Sequence, residues 1–197
     1  MEKKYQKVSK IDRRILRKKL NLREDIFTLC VVSGSEGTFN IFKILRTFLD
    51  RKYKMQVIIL CGNNSEMFQI VKTLKSISET IRGPKIYGIS YTEDMQDYLR
   101  AADLVIGKAG PNTMFETVAT LTPFFAISHV AGNEDGNLDI IRRYGIGFVE
   151  EKPGKAARKL KEIVENPEIL NKFSKDLKFL ADYNQGSGEK LLKILEQ

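Results

Sequence analysis

Thirteen residues from Gly107 to Ala119, GKAGPNTMFETVA, combine groups that could hold a phosphorylated ligand. Pro111 would open a helix at no cost in hydrogen bonds, and Asn112 or Thr113 could cap it. A helix entrance offers free N–H groups and a positive dipole end to an anion. Glu116, one turn further in, could accept two hydrogen bonds from a ribose diol. Lys108 could neutralise phosphate, or serve as a plain surface charge. Taken alone, the same residues would also make an ordinary capped helix, with Glu116 favouring its positive end.

Two other loops carry related chemistry. SHVAGNEDGN, Ser128 to Asn137, is polar and glycine-punctuated. Its Asn133, Glu134, Asp135 and Asn137 supply the donors and acceptors that sugar hydroxyls need, although an exposed polar loop would read the same. SGSEGTFN, Ser33 to Asn40, places Gly34, Ser35, Glu36 and Gly37 in a tight turn before a helix, suited to an anion. It is neither GxGxxG nor a Walker loop, which needs Lys followed by Ser or Thr.

The elements that must position these loops alternate along the chain. FTLCVVS, QVIILC, KIYGIS, DLVIG, PFFAIS and GFVE read as strands. Amphipathic segments over 39–53, 65–80, 93–102 and 137–145 read as helices, and three more helical stretches run to the C-terminus. Strands this apolar are buried on both faces, which requires a parallel sheet covered by helices. The expectation is a Rossmann-like α/β domain over residues 25–197, a doubly wound, mostly parallel sheet of about six strands.

Composition narrows the function classes. The chain of 197 residues has a formal charge of +8, yet ten of its 33 Lys and Arg stand in residues 1–24, against three acidic residues. Residues 25–197 are therefore almost neutral, which argues against a nucleic-acid-binding surface. Cys30 and Cys61 fall inside apolar strands and read as reduced core thiols. With one histidine and no Cys/His cluster, a structural zinc site is not expected. Residues 1–24 read as a basic lead-in helix, with Ile11, Ile15, Leu16 and Leu20 on one stripe. That helix would pack on the domain, touch an anionic membrane through residues 3–23, or do both.

Taken together, K-A-G-P-x-T-x-x-E and A-G-x-E-x-G-N, separated by a strand that opens with Pro, resemble the C-terminal half of GT-B-fold glycosyltransferases. The similar group includes monogalactosyldiacylglycerol synthase, diacylglycerol glucosyltransferases and the lipid-II N-acetylglucosaminyltransferase, and the resemblance spans residues 22–197. It implies a UDP-sugar donor site and inverting transfer of a hexose to a lipid such as diacylglycerol. Gly34, Ser35, Glu36 and Gly37 match the loop near the donor phosphates. Ser90, Tyr91 and Thr92 fall where backbone groups pair with uracil. Pro111, Asn112 and Thr113 match the helix entrance facing the diphosphate, and Glu116 matches the carboxylate on the ribose. Asn133, Glu134 and Asn137 match contacts to the hexose, with Asn133 standing where the family has Gln.

The resemblance implies neither a metal nor another cofactor, and it places the catalytic base in an acceptor-binding half outside this chain. His129, beside the sugar loop, reads as pocket wall rather than as that base. The expected setting is the cytoplasm, peripheral at the membrane. The alternatives are a stand-alone catalytic subunit docked on a membrane partner, and a non-catalytic membrane-associated module.

Overall fold

The computed structural model describes residues 11–33, 38–49 and 53–195. Six strands form one wholly parallel sheet: β1 (Phe27–Val32), β2 (Met55–Gly62), β3 (Lys85–Ser90), β4 (Leu104–Lys108), β5 (Phe124–Ser128) and β6 (Gly147–Val149). Their order is β3-β2-β1-β4-β5-β6. The chain thus winds outward from β1 to β3, returns to the middle, and winds outward again from β4. Four central strands are almost entirely buried, whereas the edge strands β3 and β6 are partly exposed. Continuous apolar runs such as VIIL and LVI are explained by that two-sided cover. Cys30 and Cys61 are buried free thiols.

Among the described residues the helices are α1 (Arg13–Lys19), α2 (Thr38–Arg46), α3 (Ser65–Thr80), α4 (Met95–Ala101), α5 (Pro111–Ala119), α6 (Asp135–Arg143), α7 (Pro153–Glu165) and α8 (Ser174–Leu195), with a 3-10 segment at Pro167–Phe173. Local chemistry fixes their ends. Asn64 accepts from the Met67 N–H at 2.8 Å to cap α3. Beyond its last turn, Arg82 adopts φ 54° and Gly83 N–H returns to the Ser78 carbonyl.

Two sequence expectations shift. The helix expected over 39–53 ends at Arg46, and Thr47, Phe48 and Leu49 continue in tighter turns, each N–H reaching three residues back. Those turns bury Phe48 against Tyr53, with ring centroids 5.1 Å apart. On α1 only part of the expected apolar stripe faces inward. Leu16 is buried, but Ile15 is 63% exposed and Arg17 only 5%. The inward face is Arg13, Leu16, Arg17 and Leu20, at helical spacing.

Arg17 is drawn in by Asp103, which precedes β4. The Asp103 carboxylate accepts from Arg17 Nη2 at 2.7 Å, Arg13 Nη1 at 3.0 Å and the Thr28 N–H at 2.8 Å. Arg17 also donates to the carbonyls of Ala101, Glu24 and Ile26. A buried guanidinium survives in the core only when satisfied in this way. The clamp sits at the N-terminal ends of β1 and β4 and joins α1 to the sheet.

Candidate functional site

In an open sheet of this order, ligands lie beyond the carboxyl ends of the strands where the winding reverses. Here that point lies between β1 and β4. Gly107, one residue before the end of β4, is needed there. A Cβ would stand 2.9 Å from the Val32 carbonyl oxygen, so the two strands could not approach so closely with a side chain. From this junction leave the loop after β1, whose Gly34, Ser35, Glu36 and Gly37 lie outside the described residues, and the loop that opens α5.

The N-cap of α5 lies two residues before Asn112 and three before Thr113, the positions expected to cap it. Pro111 is its first residue and Gly110 the N-cap, with no side-chain hydrogen bond to the first turn. Asn112 and Thr113 therefore lie inside the first turn. Met114, Thr117 and Val118 face the core, while Asn112 is exposed and Thr113 and Glu116 are half-buried. The exposed entrance thus keeps backbone N–H groups directed at the crevice.

The loop after β5 is tied to this entrance. Lys108 Nζ meets Glu134 Oε1 at 2.8 Å, and Glu134 Oε2 accepts the Val130 N–H at 2.7 Å. Asn137 Nδ2 donates to the Ala109 carbonyl at 2.7 Å. Burial opposes ionisation of Glu134, but the hydrogen bonds from Lys108 and Val130 outweigh it and hold the carboxyl below its ordinary value. A Cβ on Gly110 would lie 3.7 Å from Glu134 Oε1. A carboxylate thus stands beside the helix entrance, and Lys108 offsets its charge.

His129, at the start of the same loop, lies between two carboxylates. Nδ1 is 2.6 Å from Glu151 Oε1, and Nε2 is 2.9 Å from Asp135 Oδ1. The bond to Glu151 does most to raise the imidazole's pKa, desolvation works against it, and Asp135 adds to the rise. With both ring nitrogens engaged by carboxylate oxygens, the imidazole is poorly placed to take a proton from an acceptor. Asp135 Oδ2 also accepts the Gly132 N–H at 2.7 Å, closing a turn in which Gly132 adopts φ 82°.

The structure thus brings Lys108, Pro111, Asn112, Thr113, His129, Glu134 and Asn137 into one neighbourhood, and Asn133 is exposed on its rim. Ser90 ends β3, and Tyr91 and Thr92 follow it, two strands from β1 and so roughly 10 Å away at the usual strand spacing. Ser90 and Tyr91 are exposed, and the Thr92 hydroxyl accepts the Asp94 N–H. Helix α4 then runs back along the sheet, packing chiefly on α1 and also on α5 and β1. Sequence reasoning missed Glu151. It lies 22 residues from His129, and only the pairing of β5 with β6 makes them neighbours.

The model of the glycosyltransferase family 28 C-terminal domain matches residues 28–136, from the start of β1 into α6. The chain belongs to this family. Monogalactosyldiacylglycerol synthase 2 of Arabidopsis thaliana is 27% identical over 73% of this chain and 31% of its own length. The processive diacylglycerol beta-glucosyltransferase of Bacillus subtilis is 25% identical over 91% and 46%. The UDP-N-acetylglucosamine–N-acetylmuramyl-(pentapeptide) pyrophosphoryl-undecaprenol N-acetylglucosamine transferase of Thermoanaerobacter sp. is 30% identical over 91% and 50%. The family 28 domain described here therefore spans a third to a half of these curated relatives.

Solved structures agree on the fold. A glycosyltransferase from Rickettsia africae superposes with TM-score 0.70 at 16% identity, covering 98% of this chain and 53% of that one. Anabaena Alr3699/HepE, crystallised in complex with UDP-glucose, superposes with TM-score 0.67 at 15% identity, covering 95% and 55%. Both relate this family 28 domain to the GT-B glycosyltransferases in architecture.

Proposed function

We propose that this domain holds the UDP-sugar donor of an inverting glycosyltransferase that moves a hexose to a lipid acceptor such as diacylglycerol. The observation that carries the reading is the tying of two family-matched loops at the winding reversal. There the Lys108–Glu134 pair and the Asn137–Ala109 bond hold the loop after β5 against the α5 entrance. In this reading the first-turn N–H groups of Asn112 and Thr113 receive the diphosphate, and Glu116 accepts the ribose hydroxyls. Ser90, Tyr91 and Thr92 present backbone groups to uracil, and Asn133, Glu134 and Asn137 face the hexose. Gly34, Ser35, Glu36 and Gly37, outside the described residues, are the family-matched positions assigned to the donor phosphates.

The transfer is a single displacement. A base deprotonates the acceptor hydroxyl, the oxygen attacks the anomeric carbon, and UDP leaves from the opposite face. Its growing charge is met by oriented N–H groups that need no reorganisation. The base belongs to an acceptor-binding half, joined to this domain or supplied by a separate subunit, because both ring nitrogens of His129 are already engaged by Glu151 and Asp135. No metal or other cofactor enters this scheme.

The outward side of α1 and its approach supports peripheral contact with an anionic membrane. Ile11, Arg14, Ile15 and Lys18 are all exposed there at helical spacing. Among the described residues no helix is long and apolar enough to cross a membrane.

Thermal unfolding with UDP and UDP-hexoses tests the proposal. A ligand at a hundredfold its Kd stabilises by about 2.7 kcal/mol, and Glu116→Ala should abolish the shift. Absence of any shift with every uridine nucleotide would refute the reading.

A further inference from the structure

Both ring nitrogens of His129 face carboxylate oxygens, Glu151 Oε1 at 2.6 Å and Asp135 Oδ1 at 2.9 Å. An ionised carboxylate only accepts hydrogen bonds, and a neutral imidazole carries one N–H. Neither neutral tautomer can therefore satisfy both partners. Only the imidazolium can. The charged groups facing the ring are Glu151 from the turn after β6, Asp135 at the start of α6, and Glu134 on the same loop, itself paired with Lys108.

The two carboxylates do different work. Asp135 closes the 129–135 turn by accepting the Gly132 N–H, while Glu151 belongs to the segment between β6 and α7. His129 is therefore the bolt between the turn and a fixed point on the sheet. Asn133 lies at the exposed tip of that turn, and Glu134 and Asn137 follow it.

We infer that His129, as an imidazolium, is the positioning residue that holds the 129–137 loop in its sugar-facing shape, and that the loop loosens when the ring is deprotonated. This rests on the donor-site reading for its consequence, though not for the clamp itself. The sign follows from the bridge. Both carboxylates favour the charged ring, so the ring titrates above its ordinary 6.5. The clamp is complete below that ordinary value and is lost as pH rises through the elevated one. Above it, one nitrogen presents a lone pair to a carboxylate, and the bridge through His129 loses one of its two hydrogen bonds.

The chain has one histidine, so its imidazole NMR signals are unambiguous. In the ligand-free protein, titrated from pH 5 to 10, His129 should change charge above 6.5. The Val130 and Gly132 amides should shift with the same midpoint. Glu151→Gln should lower that midpoint while the rest of the spectrum stays folded. An ordinary midpoint, or loop amides that ignore it, would overturn the clamp.

The ratio of UDP-glucose to UDP affinity should then fall about tenfold across the same range, the loss of roughly one charge-assisted hydrogen bond. In His129→Gln the ratio should be low and independent of pH. A ratio that stays flat in the wild type overturns the positioning role. If the amides co-titrate but no uridine nucleotide binds, the donor-site reading and the sugar-facing role fall together while the clamp stands.

Discussion

The two ends of the sheet handle charge in opposite ways. At the N-terminal ends of β1 and β4, Asp103 gathers two guanidinium groups and a backbone N–H, and Arg17 is nearly lost to solvent. At the C-terminal ends, Lys108 pairs with Glu134 and His129 bridges Asp135 and Glu151, whose carboxylates remain open to water. The first arrangement fixes α1 to the sheet. The second fixes loops to one another and leaves the α5 entrance without a side-chain cap. Ion pairs alone therefore do not mark a binding site; what distinguishes the upper end is unsatisfied backbone beside loops held in register.

The largest expected effect tests the lower end. Asp103→Ala leaves the Arg17 guanidinium buried without its anion and should cost about 3–5 kcal/mol, read by urea unfolding. Glu134→Gln keeps the shape at the upper end and should cost nearer 1 kcal/mol. Equal losses at the two ends would break the contrast. Glu116→Ala should next remove the UDP-dependent thermal shift while changing unfolding free energy by less than about 1 kcal/mol. A matching fall in stability would make Glu116 structural.

Acid titration sharpens the comparison further. Glu134 is held below its ordinary value of 4.5, so its share of stability is present above 4.5 and fades as pH falls through the lowered value. Lys108→Met should move that carboxyl upward, seen by carbon NMR, and should weaken UDP binding several-fold. An unmoved titration would mean the pair carries little energy. Smallest of all, Ile15→Ser on the exposed side of α1 should change stability within about 0.5 kcal/mol but reduce binding to anionic vesicles. Unchanged vesicle binding would remove the case for membrane contact through this helix.

Much of the fold was readable because its strands are short apolar runs between amphipathic segments. KIYGIS and the helix over 65–80 coincide with β3 and α3. The α5 motif was readable for its Pro and its spacing to AGNEDGN. What sequence patterns missed are contacts made only after folding. Arginine counts as a solvent residue in any periodicity, so burial of Arg17 in place of Ile15 was invisible. The cap of α5 was misjudged by two or three residues, because Pro111 takes the first helical position and leaves Gly110 outside. The His129 bridge depends on β5 and β6 lying side by side, which no local window reports.

The placement of α1 also sets a distance. It is bolted where the strands begin, whereas the loops of interest stand where they end, and a six-residue strand separates the two levels by roughly 20 Å. A membrane or subunit gripping α1 would hold this domain by its base, with the loops carried a strand's length away. Small rotations about that anchor would sweep them through a wide arc, so the grip on α1 would govern where the sugar is presented.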